Sequence, residues 1–270
     1  MGKRLMLIGG LLAAWSWAQS PPLSGIAHVA FRVSDIPAAR DFYEKLGFEQ
    51  FFEFSQNGKT TQAFLKINDR QFIELYPRGD GSEPLGLMHI CYEADDLAPV
   101  NSEYVKRGLK PSPVRKAGAG NLLFVLRDPE DQVIEYTQYM PGSRHSEDRG
   151  KHLGSRRISQ QLTAVTVPVR DVAAERTFYT SGLGFEAEGS APVLRIPGGS
   201  RQRVTLTPAP AKPALYFAVA DAARAAAELK SRGMTVNTID VHRGPDATGK
   251  AATVTDPDGT SISFEPEAGR

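Results

Sequence analysis

His28-Val29-Ala30-Phe31-Arg32-Val33-Ser34-Asp35 and His89-Ile90-Cys91-Tyr92-Glu93-Ala94-Asp95-Asp96 are the two stretches whose likeness decides the fold. Each reads as a β-strand running into an aspartate that can cap a following helix. Each following helix closes at a glycine, Gly47 and Gly108. The spacing is constant: 89−28, 96−35, 108−47 and 135−74 all give 61, the last pair being Glu74 and Glu135. Self-similarity at a fixed period marks a duplicated supersecondary unit.

Outward from these stretches each unit reads strand, helix, then three strands. In the first, Ile26–Val33 is a strand and Asp35–Leu46 a helix. Phe48–Phe54, Thr61–Ile67 and Gln71–Tyr76 follow as strands, the first hairpin turned by Asn57-Gly58. In the second, Leu87–Ala94 is a strand, Leu97–Arg107 a helix, and Leu109–Arg115, Leu122–Arg127 and Val133–Gln138 are strands. One such unit buries only one face of its sheet, so two pair into a domain. Pro141 to Ser159 is polar, lacks apolar periodicity and reads as a linker. Beyond it the pattern returns: Val169-Arg170-Asp171, Phe178-Tyr179, Leu183-Gly184-Phe185 and Asp256-Pro257 answer Val33-Ser34-Asp35, Phe42-Tyr43, Leu46-Gly47-Phe48 and Asp128-Pro129. The fold class expected is α+β: four βαβββ units, paired into domains over 24–140 and 160–267, with a linker over 141–159.

The 270 residues suit two domains at the usual ~150 residues each. Thirty-two Lys+Arg against 31 Asp+Glu leave a net charge of +1, which argues against nucleic-acid partners. A lone cysteine, Cys91, excludes an intrachain disulfide and a cysteine-rich zinc site. Residues 1–20 read as a signal peptide: Lys3 and Arg4, an apolar Leu5–Trp17, and Ser16 and Ala18 before a cleavage point. Later segments fall short of the ~20 apolar residues of a spanning helix. The expectation is a periplasmic or secreted protein with no membrane association after cleavage.

His28, Glu74, His89 and Glu135 each stand among apolar neighbours on a strand. A buried carboxylate is costly unless paired or bound to a cation. A pseudo-twofold axis relating the two units would bring two histidines and two glutamates to one point, the pattern of a metal site.

These residues, with the helix Ala39-Arg40-Asp41-Phe42-Tyr43-Glu44-Lys45-Leu46-Gly47-Phe48, Leu87-Met88-His89, and Asp128-Pro129 followed by Val133-Ile134-Glu135-Tyr136, resemble the vicinal oxygen chelate superfamily. That superfamily includes glyoxalase I, extradiol dioxygenases, methylmalonyl-CoA epimerase, and fosfomycin and bleomycin resistance proteins. The resemblance covers about Gly25–Glu267. It implies that His28, Glu74, His89 and Glu135 hold one divalent metal ion. Zn²⁺, Ni²⁺, Co²⁺, Mn²⁺ and Fe²⁺ all suit such an N2O2 set. The second domain has Ala164, Ala214 and Ser263 at three of the matching positions and Thr205 or Thr207 at the fourth, and is expected to be metal-free.

Four protein ligands leave about two positions on an octahedral ion. That suits a glyoxalase-like lyase or isomerase acting on a small molecule through a metal-bound enediolate. By similarity with glyoxalase I, Glu135 is the first choice of general base and Glu74 the second. Arg32, four residues past His28, is expected either to bind a substrate carboxylate or to pair with Glu93. An extradiol dioxygenase using Fe²⁺ and a small-molecule-sequestering resistance protein are the alternatives. The units could also be exchanged between two chains of a homodimer. Cys91 is expected to be a packed apolar residue, and His145, His152 and His242 to be solvated.

Overall fold

Four aspartates start four helices. In the computed structural model, which describes residues 22–198, 200–242 and 248–266, Asp35 accepts from the Ala38 amide at the start of α1 (Ile36–Lys45). Asp96, Asp171 and Asp221 cap α2 (Leu97–Lys106), α4 (Val172–Thr177) and α5 (Ala222–Ser231) in the same way. Residues 1–20, expected as a signal peptide, and Glu267 lie outside the described residues. The Asn57-Gly58 turn has left-handed backbone at both residues, as a tight type I′ hairpin requires.

The first half comprises β1 (Gly25–Val33), β2 (Glu49–Gln56), β3 (Lys59–Lys66), β4 (Phe72–Pro77), β5 (Gly86–Glu93), β6 (Arg115–Lys116), β7 (Leu122–Arg127) and β8 (Val133–Gln138). These form one eight-stranded sheet in the order β2-β3-β4-β1-β5-β8-β7-β6. β1 and β5 lie antiparallel at its centre, and each pairs in parallel with the last strand of its own unit. Both units of this sheet come from one chain. The second half repeats the plan in β9 (Leu162–Val169), β10 (Glu186–Ala187), β11 (Val193–Arg195), β12 (Arg203–Pro208), β13 (Ala214–Val219), β14 (Asn237–His242), β15 (Thr248–Thr255) and β16 (Ser261–Pro266). Its order is β10-β11-β12-β9-β13-β16-β15-β14. The fold is therefore α+β, four βαβββ units paired two and two.

One expected strand is corrected. Over Leu109–Arg115 only Arg115 enters a strand, because Pro111 and Pro113 have no amide hydrogen to donate. Between the two prolines Ser112 pairs with Val125: its amide donates to the Val125 carbonyl and its hydroxyl accepts from the Val125 amide.

Alternate strand residues divide between two faces. Val29, Phe31, Ile73, Leu75, Ile90, Tyr92, Ile134 and Tyr136 join the apolar core with the helices. His28, Glu74, His89 and Glu135 face the other way. The two domains join through the helix side in a mirrored fashion. Tyr43 of α1 donates to Asp256 and the Ser34 amide to Asp258, while the Arg170 and Asp171 amides both donate to Glu130. Phe48 packs on Phe217 as Phe185 packs on Tyr92, with ring centroids 5.2 and 5.3 Å apart. Gln71 clamps both the amide and carbonyl of Leu162, and Gln202 accepts from the Ile26 amide and donates to the Leu162 carbonyl.

The 141–159 segment, expected as a linker, folds back over the first sheet. It contains a single-turn helix, α3 (Arg144–Glu147), and buries Ser143, His145, Asp148 and Ser159. Its anchor is Lys66, fully buried on β3, whose ammonium donates to the Asp148 carbonyl and carboxylate and reaches Asp69 at 2.8 Å. Gly47 fits against it closely: with φ of +89° it adopts left-handed backbone, and a Cβ would sit 2.6 Å from the Arg157 Cα.

Candidate metal centre

Strand register explains how the four side chains meet. Across β4, β1, β5 and β8 one row reads Phe72, His28, Cys91, Glu135, and the next on the same face reads Glu74, Ala30, His89, Val133. Rotation about an axis between β1 and β5 exchanges the rows, taking His28 to His89 and Glu74 to Glu135. His28 is the hub. Its Nδ1 lies 3.5 Å from Glu74, and its Nε2 lies 3.1 Å from His89 Nε2 and 3.5 Å from Glu135. The donor atoms form two overlapping triads, His28–Glu74–His89 and His28–Cys91–Glu135, each within 4.8 Å.

The environment disfavours ions of either sign in the absence of a partner. Burial, then the charge of Glu135, pushes the Glu74 carboxyl up to about 8, against the pull of hydrogen bonds from Tyr76 and Gln62. Burial likewise raises Glu135 to about 7 and lowers His89 to about 4. His28 is held well below the ordinary histidine value by burial, then by His89 and His145. Two neutral imidazoles and two carboxyls that ionise reluctantly are donors suited to a divalent cation, whose charge would offset the carboxylates. Gln62 and Tyr76 both donate to Oε2 of Glu74, which leaves Oε1 turned toward His28. The residues present fit a bound divalent metal.

A cavity of about 200 Å³ opens on this face, with His28, Glu74, Tyr76, Arg115, Glu135 and His145 among its lining. Arg32 does not line it. Its guanidinium donates to the Pro84 carbonyl and lies 3.9 Å from Glu83. Glu93, its expected ion-pair partner, instead holds Arg70 at 2.6 Å. A larger cavity of about 670 Å³ lies at the domain seam beside Arg70, Gln71 and Gln202, and includes none of the four candidate ligands.

The expectation of a solvated His145 is corrected. Its imidazole is only 6% exposed and packs against Phe51, Phe52, Phe64, Phe72 and Tyr139. A four-residue helix leaves no periodic trace in a sequence. The available signal is the run Phe51-Phe52-Glu53-Phe54: a bulge at Phe51 lets all three rings gather with Phe64 on the cavity face, and such an aromatic cluster requires a cover. His152 is exposed and pairs with Asp148, and the His242 side chain lies outside the described residues.

In the second domain the same rows read Arg203, Ala164, Tyr216, Ser263 and Thr205, Thr166, Ala214, Ser261. Ala164, Thr205, Ala214 and Ser263 thus occupy the positions of the four candidate ligands. Tyr216 takes the place of Cys91 and accepts a hydrogen bond from Thr166.

The architecture is shared with solved structures. The Mn(II)-bound glyoxalase from Novosphingobium aromaticivorans aligns at 18% identity and a TM-score of 0.68, over 91% of this chain and 83% of that one. The 2,3-dioxygenase LapB from Pseudomonas sp. KL28 aligns at 15% and 0.68, over 93% and 94%. An extradiol ring-cleaving dioxygenase from B. fuscum aligns at 16% and 0.65, over 94% and 74%. At these identities the likeness is one of fold. No curated protein matches the sequence significantly. The model of one family matches residues 25–136 and again 161–264, well over half the sequence, and the chain therefore belongs to the glyoxalase/bleomycin resistance protein/dioxygenase superfamily.

Proposed function

We propose that the protein is an exported, metal-dependent enzyme of the glyoxalase type, a lyase or isomerase that moves a proton on a carbon next to a carbonyl. The observation that carries this reading is the convergence of His89, Glu74 and Glu135 on His28, at 3.1 to 3.5 Å. A divalent ion bound there by His28, Glu74, His89 and Glu135 would act as a Lewis acid toward the substrate oxygens. The two carboxylates differ in a way that divides their roles. Glu74 is fixed by Gln62 and Tyr76, whereas Glu135 meets the Cys91 thiol and faces the cavity. Glu135 is thus the group free to take the proton from carbon and return it to the neighbouring carbon, and Glu74 stays a ligand. Arg115, exposed on the cavity lining, suits an anionic substrate group better than Arg32, which is engaged with Pro84 and Glu83. The volume, below the ~300–1,000 Å³ of ordinary ligand pockets, fits a compact substrate or the reacting end of a larger one.

An extradiol dioxygenase is the second reading. One observation favours it: His28, Glu74 and His89 alone make a two-histidine, one-carboxylate triad. Metal analysis of the purified protein and of His28→Ala comes first, with about one divalent ion per chain expected in the former and loss in the latter. Assays on α-oxoaldehyde–thiol adducts and on catechols follow. Adduct turnover without oxygen consumption supports the proposal, and oxygen-dependent ring cleavage of a catechol overturns it.

A further inference from the structure

Cys91 is the one chemically distinctive side chain of the site that the proposed reaction does not use. Register puts it directly between two of the ligand positions. It pairs with His28 on β1 and with Glu135 on β8, and it is 0% exposed. Its sulfur and the donor atoms of His28 and Glu135 lie within 4.8 Å of one another, about the span of two donors across one ion at ~2.0–2.3 Å each. The site's own symmetry adds to this. The axis that exchanges His28 with His89 and Glu74 with Glu135 takes Cys91 to Ala30, so a soft donor stands on one side only.

We propose that the centre has two ion settings sharing His28: a hard one with Glu74 and His89, and a soft one in which Cys91 ligates with Glu135. This rests on the reading of His28, Glu74, His89 and Glu135 as a metal site. The two settings differ in charge. A neutral imidazole, a thiolate and a carboxylate cancel the two positive charges of the ion, whereas two imidazoles and one carboxylate leave one uncancelled. A charge-neutral assembly is the cheaper one to bury. Thiolate also selects soft ions while carboxylate and imidazole accept harder ones. Zn²⁺, Cd²⁺ and Co²⁺ are therefore drawn to the Cys91 side and Mn²⁺ to the Glu74 side. On binding, the sulfur–hydrogen bond of Cys91 gives its proton to solvent and its electron pair to the ion.

The test uses the full chain, stripped of metal and titrated with Co²⁺, Cd²⁺ and Mn²⁺. Because Cys91 is the single cysteine, any sulfur-to-metal charge-transfer absorption belongs to it. The expected result is such a band rising to one equivalent of Co²⁺ or Cd²⁺. It should persist in His89→Ala and vanish in Cys91→Ser. Cys91→Ser should also weaken Cd²⁺ binding about tenfold or more and leave Mn²⁺ binding within about twofold. Cys91→Ala, which restores the symmetry with Ala30, gives the same comparison with no hydroxyl. Stoichiometric Co²⁺ binding without the band overturns the role of Cys91 and leaves the four-ligand reading standing. Failure to bind any of the three ions overturns both.

Discussion

Acidification should release the connector from the cavity at the candidate metal centre through His145. Its Nδ1 lies 2.9 Å from the Asn121 side-chain nitrogen, and the Asn121 oxygen accepts from the Met140 amide. That second bond fixes the amide orientation, so Nδ1 must accept and Nε2 carries the hydrogen. Protonation of Nδ1 would set donor against donor inside a cage of five aromatic rings. Burial, then the charge of Lys66, lowers the imidazole from 6.5 to about 4, with Asp148 opposing, and His28 is the nearby titratable group on the sheet. The sign follows from linkage. A histidine lowered in the folded state contributes stability that is complete above about 6.5 and lost as pH falls through about 4. At about 1.4 kcal/mol per tenfold the ceiling is about 3 kcal/mol. His145→Phe keeps a ring in the cage and removes the titration. Urea unfolding of both proteins at several pH values between about 7 and 4 cancels the remaining titrating groups. The variant should start about 1 kcal/mol lower, from the unsatisfied Asn121 donor, and then fall less steeply with acid by up to about 3 kcal/mol. Parallel curves would refute the placement of His145 in the cavity wall, and with it the part of that wall which the connector supplies.

Glu175, fully buried on α4 with neither carboxylate oxygen in a well-formed hydrogen bond, is raised to about 8 by burial, then by Asp128 and Glu130. A raised carboxyl loses stability as pH climbs through that value, so Glu175→Gln should stabilise the protein near pH 9 by up to about 5 kcal/mol and change nothing below about 4.5, read by urea unfolding. Gln71→Ala leaves the buried Leu162 amide without its acceptor and removes a donor from the Ile26 carbonyl, while the Leu162 carbonyl keeps its bond from Gln202; a loss of about 1–3 kcal/mol in the same assay is expected. Arg115→Ala should raise KM for an anionic substrate about tenfold with little change in kcat, as expected for binding shared by ground and transition states, while Arg32→Ala should leave both nearly unchanged.

What the sequence revealed was what local chemistry controls. The capping aspartates, the Asn57-Gly58 turn and the strict two-residue alternation around His28, Glu74, His89 and Glu135 each act within a few residues, and each has its expected place. The shared offset of 61 supplied the long-range symmetry. The failures are residues whose partners lie far along the chain. Nothing local to Lys66 signals its burial, because its partner Asp148 lies 82 residues on. Arg32 and Glu93 face the same way in sequence, yet Glu83 and Arg70 reach them first. The connector looked like solvent-facing chain because its polar residues are buried against partners on β3 and at Asn121, which an apolar pattern cannot record.

The superfamily motifs take on a physical meaning from the domain seam rather than from the metal centre. Tyr43 of the Phe-Tyr pair donates to Asp256 of the Asp-Pro turn in the other domain, and Phe48 and Phe185 of the Leu-Gly-Phe turns pack on aromatic rings across the seam. A domain whose ligand positions hold Ala164, Thr205, Ala214 and Ser263 therefore still needs these motifs, because they join it to its neighbour. The consequence reaches the candidate metal site. β1 starts in the grip of Gln202, which holds the Ile26 amide only two residues before His28, and the same strand ends where the Ser34 amide meets Asp258. The strand that carries the hub histidine is thus positioned at both ends by the second domain, which makes that domain part of the scaffold of the site rather than an appendage to it.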